Sequence, residues 1–214
     1  MMARLAYALV LAAAPGNGVV IDRVAVIVGN HVIKDSDIVR DIRVVAFLNR
    51  ERPDFSPASR KQCASRLIDQ EFIREEMSAG AYPQATPAEA GELLAKLRAS
   101  RSSSPADWTD RLLQAHLSES ELRATLAWQV SVLRFINLKF RPGVFIPEEQ
   151  LRQYYGAHRA ELEAANPDRP PTFDGLRSAI ETILVEDSVN QLFYDWLDDK
   201  RKEAQIVYRE AGLK

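Results

Sequence analysis

The strongest constraint on the fold of this chain is a signal for the start of a helix that recurs along the sequence. A serine or threonine stands directly before a proline at Ser56, Thr86 and Ser104. The hydroxyl can accept a hydrogen bond from a free N–H of the first helical turn, and proline is tolerated next because its missing N–H has no partner there. Ser118 and Glu121 have the spacing of a capping box, in which each side chain bonds the backbone of the other residue. These signals predict four successive helices, over 57–79, 87–101, 105–116 and 119–140.

Strands and further helices flank this stretch. Residues 19–28 are rich in β-branched side chains and predict a strand, and Gly29-Asn30 is typical of a hairpin turn. Asp35 or Ser36 can cap the helix that follows the hairpin. The 214-residue chain is therefore predicted to be mostly α, with a small β element formed by the N-terminal hairpin and a C-terminal strand. The remaining predicted elements are a return strand over 31–34, helices to about residue 50 and over 147–165 and 172–204, and a last strand over 205–208.

The N-terminal segment, residues 1–18, has the order of an export signal. A positive charge at Arg4 precedes an uncharged apolar run from Leu5 to Ala14, and small residues and turn formers follow. The run is about half as long as the ~20 residues that a membrane-spanning helix needs. We therefore expect a signal peptide and no stable membrane insertion, with a frayed N-terminal helix on a cytoplasmic protein as the alternative. Cleavage after Ala14, Gly16 or Gly18 stays open.

Composition and motifs exclude several classes of function. The formal net charge of -2 argues against nucleic-acid binding, which usually requires a basic surplus. The single cysteine, Cys63, excludes an intramolecular disulfide and a CxxC metal site, and we interpret it as a small helix residue. The sequence contains no nucleotide-binding, nucleophile-elbow or zinc-protease motif. His31, His116 and His158 are isolated, so the sequence predicts no catalytic residue, metal site or cofactor.

Several segments carry a resemblance to a known family. Residues 24–37 (VAVIVGNHVIKDSD) combine a strand, a turn, a short strand and a capped helix start. Residues 66–71 (RLIDQE) and 146–155 (IPEEQLRQYY) follow later in the chain. Together these look like parts of the SurA family of periplasmic chaperones. Residues 173–207 resemble the helix and closing strand that follow the isomerase domain in SurA-like and PrsA-like proteins.

The chain departs from that family in one respect. Family members usually carry one or two parvulin-type prolyl isomerase domains between the corresponding segments, whereas only 17 residues separate Tyr155 from Phe173. A folded domain does not fit in that space. The resemblance thus implies a SurA N-terminal-like chaperone domain over 19–145. It also implies that 146–214 form C-terminal helices and a closing strand that pack back on that domain, without a parvulin domain.

The resemblance also implies a fold and a function. The fold is a SurA-like helical peptide-binding cradle, in which we expect residues 206–208 to pair with part of 20–28. The function is that of a periplasmic, ATP-independent chaperone that holds unfolded exported or outer-membrane proteins. Its partners are unfolded or partly folded polypeptides, it needs no cofactor, and a homodimer is left open. The alternatives are a peptidyl-prolyl isomerase of the same family and a dedicated periplasmic assembly or structural partner protein.

The helix over 119–140 has two apolar stripes. Trp128, Val132 and Phe135, at spacings i, i+4 and i+7, share one side of it. We interpret this second stripe as the candidate peptide-binding groove, because an exposed apolar patch usually marks a binding site. The alternative is that both stripes are buried because the helix is central. The first stripe, which we expect to face the core, consists of Leu122, Leu126, Val130, Leu133, Ile136 and Phe140.

The chain is predicted not to accelerate prolyl isomerisation. The barrier of about 20 kcal/mol must be lowered in a shaped pocket, and the missing domain leaves no segment to build one. At micromolar protein, a prolyl-peptide assay should give the uncatalysed time of roughly tens of seconds at 25 °C. An acceleration that a point substitution removes would contradict this prediction.

Overall fold

The computed structural model describes residues 22–165 and 172–213. The predicted signal peptide (1–18) and the first residues of the predicted N-terminal strand lie outside the described residues. The mostly α prediction is confirmed, and each predicted helix is present with ends within one residue of those expected. The helices are α1 (Asp35–Asn49), α2 (Pro57–Ala79), α3 (Pro87–Arg101), α4 (Pro105–Ala115), α5 (Glu119–Lys139), α6 (Glu148–Ala165) and α7 (Phe173–Glu203). The strands are β1 (Val24–Val28), β2 (His31–Lys34) and β3 (Ile206–Tyr208).

The predicted caps explain where most helices begin. The hydroxyls of Ser56, Thr86, Ser104 and Ser118 each accept a hydrogen bond from an N–H of the following turn. α1 differs from the prediction, since neither Asp35 nor Ser36 is its cap residue. Instead, the Lys34 N–H donates to the carboxylate of Asp37 at 2.9 Å, while Ser36 bonds to Asp22. The hairpin leads directly into this helix.

The three strands form an antiparallel sheet in the order β2-β1-β3. The predicted pairing of the C-terminal strand with the first strand is confirmed: Val26 lies opposite Tyr208, and Val28 opposite Ile206. Gly29 has a φ of +55° in the hairpin turn, a conformation that favours glycine. Its N–H donates to the carbonyl of Gln205 at 3.0 Å, so the turn also holds the incoming C-terminal strand.

Ion pairs and a buried leucine fix the C-terminal segment against the N-terminal elements. Arg60 of α2 binds Asp35 of α1 and also Glu210, which follows β3. The hydrogen bond that the Arg60 guanidinium donates to the carboxylate of Asp35 raises the pKa of Arg60, so the arginine keeps its charge. Leu213 lies in a 3-10 turn that contacts α2, and it is 2% exposed. The chain thus closes on itself through the sheet and through α2.

Two hydrophobic clusters form the interior, and α5 contributes to both. The main cluster joins β1, β2, α1, α2, the second half of α5 and the second half of α7, with Ile68, Phe135 and Phe193 among its members. A second cluster joins α1, α3, α4 and the start of α5, with Trp108 and Leu122 at its centre. α5 therefore links the two clusters along its length.

The first half of α7 and the whole of α6 form an arm beside the main cluster. α7 has 31 residues, which corresponds to roughly 46 Å of helix. Its second half enters the main cluster, whereas its first half packs on α6. Phe173 packs edge-on against Tyr155 with ring centroids 5.7 Å apart, and Arg177 binds Glu148 at 3.0 Å. α6 packs chiefly on α7.

Leu213→Ala is expected to lower the free energy of unfolding by about 2–5 kcal/mol, because deleting buried methyl groups leaves a cavity. Gly212→Ala is the matched control, since a Cβ there meets no atom within 4 Å. It should change the free energy by less than about 0.5 kcal/mol. Equilibrium urea unfolding measures the free energy of unfolding of both variants.

Removing all residues after Ala204 should lower the free energy of unfolding by more than Leu213→Ala does, because it also deletes β3. Equal stability of the truncated and parent proteins would contradict the strand pairing.

Candidate functional site

The second stripe of α5 faces the main cluster. Phe135 is fully buried and touches three aromatic rings, with centroids 5.0 Å from Tyr82, 5.6 Å from Trp196 and 5.9 Å from Phe140. It cannot line an open groove, and the interpretation of Phe135 as a groove residue is therefore corrected. The physical reason is that Tyr82, which follows α2, and Trp196 of α7 pack against this side of α5.

Trp128 and Val132 occupy the margin of the same face. Both are partly buried and pack against the main cluster. The guanidinium of Arg74 lies 4.7 Å from the centroid of the Trp128 ring, so a cation–π contact covers part of that ring. Without Phe135, the two residues do not form the continuous exposed stripe that the sequence predicted. A role for Trp128 and Val132 in peptide binding stays a prediction.

The first stripe is only partly buried. Leu122 and Phe140 are buried as predicted, but Leu133 is 61% exposed. Leu133 comes eleven positions after Leu122, so the two lie within roughly 20° of each other around the helix. Leu122 and Leu126 are covered by the second cluster, which does not reach Leu133. The stripe therefore runs from the interior onto the surface, and the expectation that all of it faces the core is wrong at Leu133.

Several large apolar side chains of the described residues are exposed near the end of α5 and along α7. Phe145, in the connection between α5 and α6, is 83% exposed, and Tyr194 of α7 is 62% exposed. Others lie elsewhere, such as Leu113 of α4 and Phe55 before α2. We call the first group the outer apolar set. It consists of Leu133, Leu138, Phe145, Ile183, Leu192 and Tyr194.

The outer apolar set is distributed over two supports. Leu133 and Leu138 stand on α5, which is anchored in both clusters. Ile183 and Tyr194 stand on α7, on either side of the point where that helix leaves the arm and enters the main cluster. Phe145 lies in the connection to α6. The set therefore has members on the core, on the long helix that joins the core to the arm, and in the connection between α5 and α6.

Glu76 ties these two supports together electrostatically. It binds Lys139 of α5 and lies 3.7 Å from the ammonium group of Lys200 of α7. The hydrogen bond from Lys139 is the main cause that lowers the pKa of the Glu76 carboxyl. Because the folded pKa is depressed, this link stabilises the protein above the ordinary pKa of 4.5 and is lost as the pH falls below it. These ion pairs thus contribute to the packing of α5 and α7 near neutral pH, and their contribution is lost in acid.

Cys63 does not have the surroundings of a reactive thiol. It is fully buried in α2, as the interpretation of a small helix residue requires. Burial and the nearby carboxylate of Asp41, whose oxygen lies 3.2 Å from the sulfur, raise the pKa of the thiol. The thiol therefore stays protonated, whereas a nucleophile must be a thiolate.

The histidines lie on separate elements. His31 is exposed at the start of β2, and His116 ends α4 with a φ of +53°. His158 stacks on Tyr154 in α6, with ring centroids 4.1 Å apart. Within 22–165 and 172–213, no group of three or more histidine, cysteine or acidic side chains could hold a metal ion. In the same residues, no helix combines the length and apolar character required to cross a membrane.

Comparison with known proteins does not assign the chain to a family. No protein-family model matches the chain, and no curated protein matches it. The likeness to the SurA family is therefore a sequence-based expectation.

The double substitution Val132→Ser/Phe135→Ser is expected to destabilise the fold. Replacing a buried phenylalanine with a small residue typically costs about 3–5 kcal/mol, and a serine hydroxyl in the core adds to that cost. Leu133→Ser, on the exposed side of the same helix, should cost less than about 1 kcal/mol. Urea unfolding followed by far-UV circular dichroism compares the two variants. A double variant as stable as the parent would restore the groove interpretation.

Proposed function

We propose that the protein is an ATP-independent periplasmic chaperone that holds unfolded exported or outer-membrane proteins. The observation that carries this proposal is the exposure of Leu133, Phe145 and Tyr194 at 61%, 83% and 62%. Both hydrophobic clusters are complete without these side chains, so their exposure is not required by the core. The resemblance of several segments to the SurA family supports the same function.

Burial of client side chains on the outer apolar set supplies the binding energy. A fully buried Leu or Phe side chain is worth roughly 1.5–3 kcal/mol. The ordering of the client chain and of the exposed side chains offsets much of this gain. The resulting affinity is modest and depends little on client sequence. Such a client dissociates spontaneously, which is what a chaperone without an ATPase cycle requires.

The placement of the set suits a client that is extended rather than compact. Its members occur at intervals along α5, along α7 and in the connection that carries Phe145. An unfolded chain can place separated apolar residues against each support in turn. A folded partner would instead need one continuous complementary face. This distribution favours a holding function over a dedicated assembly role.

The proposal assigns no catalytic step to the chain. Cys63 is protonated and buried, and the histidines occupy separate elements. Periplasmic localisation rests on the export signal that the sequence predicts in 1–18. The client class, exported and outer-membrane proteins, rests on the sequence resemblance.

Leu133→Ser/Phe145→Ser should weaken client holding without unfolding the protein. The assay dilutes a urea-unfolded outer-membrane protein into buffer and follows aggregation by light scattering. The parent should suppress aggregation at near-equimolar ratio, and the double variant should need several-fold more protein for the same effect. Melting temperatures of parent and variant should agree closely, because both side chains are exposed.

The same assay includes the single variant Leu133→Ser, for which Leu113→Ser is the matched control. Leu113 is a helical leucine of similar exposure, at 66%, but it lies on α4 outside the outer apolar set. It should suppress aggregation as the parent does. Equal suppression by the double variant and the parent would exclude the outer apolar set as the client surface. A parent that suppresses no aggregation, and that captures one stoichiometric partner from periplasm, would favour the assembly function instead.

A further inference from the structure

A basic cleft of about 780 Å³ lies where α1, α3 and α4 end. Its volume falls within the roughly 300–1,000 Å³ of ligand-binding pockets. Among the described residues that line it, Glu51 is the one carboxylate. The positive charges come from α1, from the connection after it, from the end of α3 and from α4. They are Arg43, Arg50, Arg52, Arg101 and Arg111.

Most of these arginines have no acidic partner. Arg111 pairs with Asp107 at 3.0 Å. Within the part of the chain that the structure describes, Arg43, Arg50 and Arg52 have no carboxylate within ion-pair distance, and neither has Glu51 a cation. Arg43 interacts at longer range with the carboxylate of Glu121, whose pKa is lowered chiefly by its hydrogen bond with Ser118 and also by the charge of Arg43. The unpaired positive charge therefore lies chiefly on Arg50 and Arg52, in a chain whose formal net charge is -2.

The C-terminal ends of helices offset part of this positive charge. Arg101 donates to the backbone carbonyls of Phe47 and Leu48, at 3.3 and 2.5 Å, and so caps the C-terminal end of α1. The C-terminus of a helix carries a partial charge of roughly -0.5, and three helices end here. That total offsets less than two of the five arginine charges, while Asp107 pairs with Arg111 and Glu121 interacts with Arg43. Among the described residues, Arg50, Arg52 and Arg101 remain without a carboxylate within ion-pair distance.

The arginines also crowd one another. Burial, followed by the charge of nearby Arg50, lowers the pKa of the Arg101 guanidinium from its ordinary value. A bound anion would relieve this repulsion. The contacts that hold Arg101 at the end of α1 therefore also favour the binding of an anion in the cleft.

Aromatic rings lie between the charges. Phe47 and Phe55 both line the cleft, and the Arg43 guanidinium lies 5.9 Å from the centroid of the Phe55 ring. Phe47 is fixed edge-on against Trp108, with centroids 5.8 Å apart. The site thus offers apolar contact surface as well as guanidinium donors, which a small inorganic anion would not use.

We propose that this cleft binds an acidic segment of polypeptide in which carboxylates lie beside apolar or aromatic side chains. A guanidinium presents a planar fork of donors that matches a carboxylate. The arginines are carried by several different elements, which suits carboxylates separated along a chain. The rings of Phe47 and Phe55 then contact the side chains between them. The cleft shares no residue with the outer apolar set, so this inference does not depend on the proposed chaperone function.

The test measures binding of a short dye-labelled peptide in which glutamates flank phenylalanine. Fluorescence anisotropy at low salt follows binding to the parent, to Arg50→Gln/Arg52→Gln and to Arg123→Gln/Arg209→Gln. The last variant also removes two positive charges, but from exposed sites outside the cleft. We expect Arg50→Gln/Arg52→Gln to weaken binding by about tenfold or more, since hydrogen bonds to charged groups are the strong ones. The control variant should bind within about twofold of the parent, because exposed distant charges are screened.

Three further measurements decide the assignment. The same peptide with glutamine in place of glutamate should bind at least about tenfold more weakly, because it lacks the charge that the arginines recognise. Leu133→Ser/Phe145→Ser should bind the acidic peptide as the parent does, even if it loses aggregation suppression. Equal binding of the glutamine peptide, or unchanged binding by Arg50→Gln/Arg52→Gln, would overturn the proposal. Complete displacement of the peptide by an equal charge concentration of inorganic phosphate or anionic vesicles would overturn it in favour of a general anion site.

Discussion

The pairing of β3 with β1 is the contact on which the rest of the structure depends. It joins strands that stand at opposite ends of the described chain, and it places Glu210 and Leu213 against α2. α7 must then run from the arm through the main cluster to deliver β3 to that position. The aromatic packing around Phe135 follows from the same path, because the second half of α7 covers one side of α5. Edge pairing and core burial are therefore coupled.

The elements could be predicted from sequence because their boundaries are set by short-range chemistry. A hydroxyl before a proline fixes a helix start within one turn, and the structure places α2, α3 and α4 accordingly. The start of α1 was less predictable, because its cap depends on a carboxylate that reaches back to Lys34 and on a serine that bonds Asp22. The strand pairing came from a family resemblance rather than from the local sequence.

The candidate site was harder to predict, since a helical stripe shows which residues share a face but not what covers that face. Phe135 and Leu133 lie two positions apart on α5, and one is fully buried while the other is mostly exposed. Their difference depends on α2 and α7, which are distant in sequence. The basic cleft was hidden for a related reason. Its arginines come from several elements, and the overall charge of -2 does not show that they lie close together in the fold.

The central position of β1 has a consequence for the order in which the protein can form. Synthesis and export both deliver the N-terminal side of a chain first, so β1 and β2 emerge long before the residues of β3. Until β3 emerges, one side of β1 presents unpaired N–H and C=O groups, and such an edge can pair with other chains. Closing a contact across so long a loop also slows folding. The nascent protein thus passes through a period in which it is itself prone to aggregate.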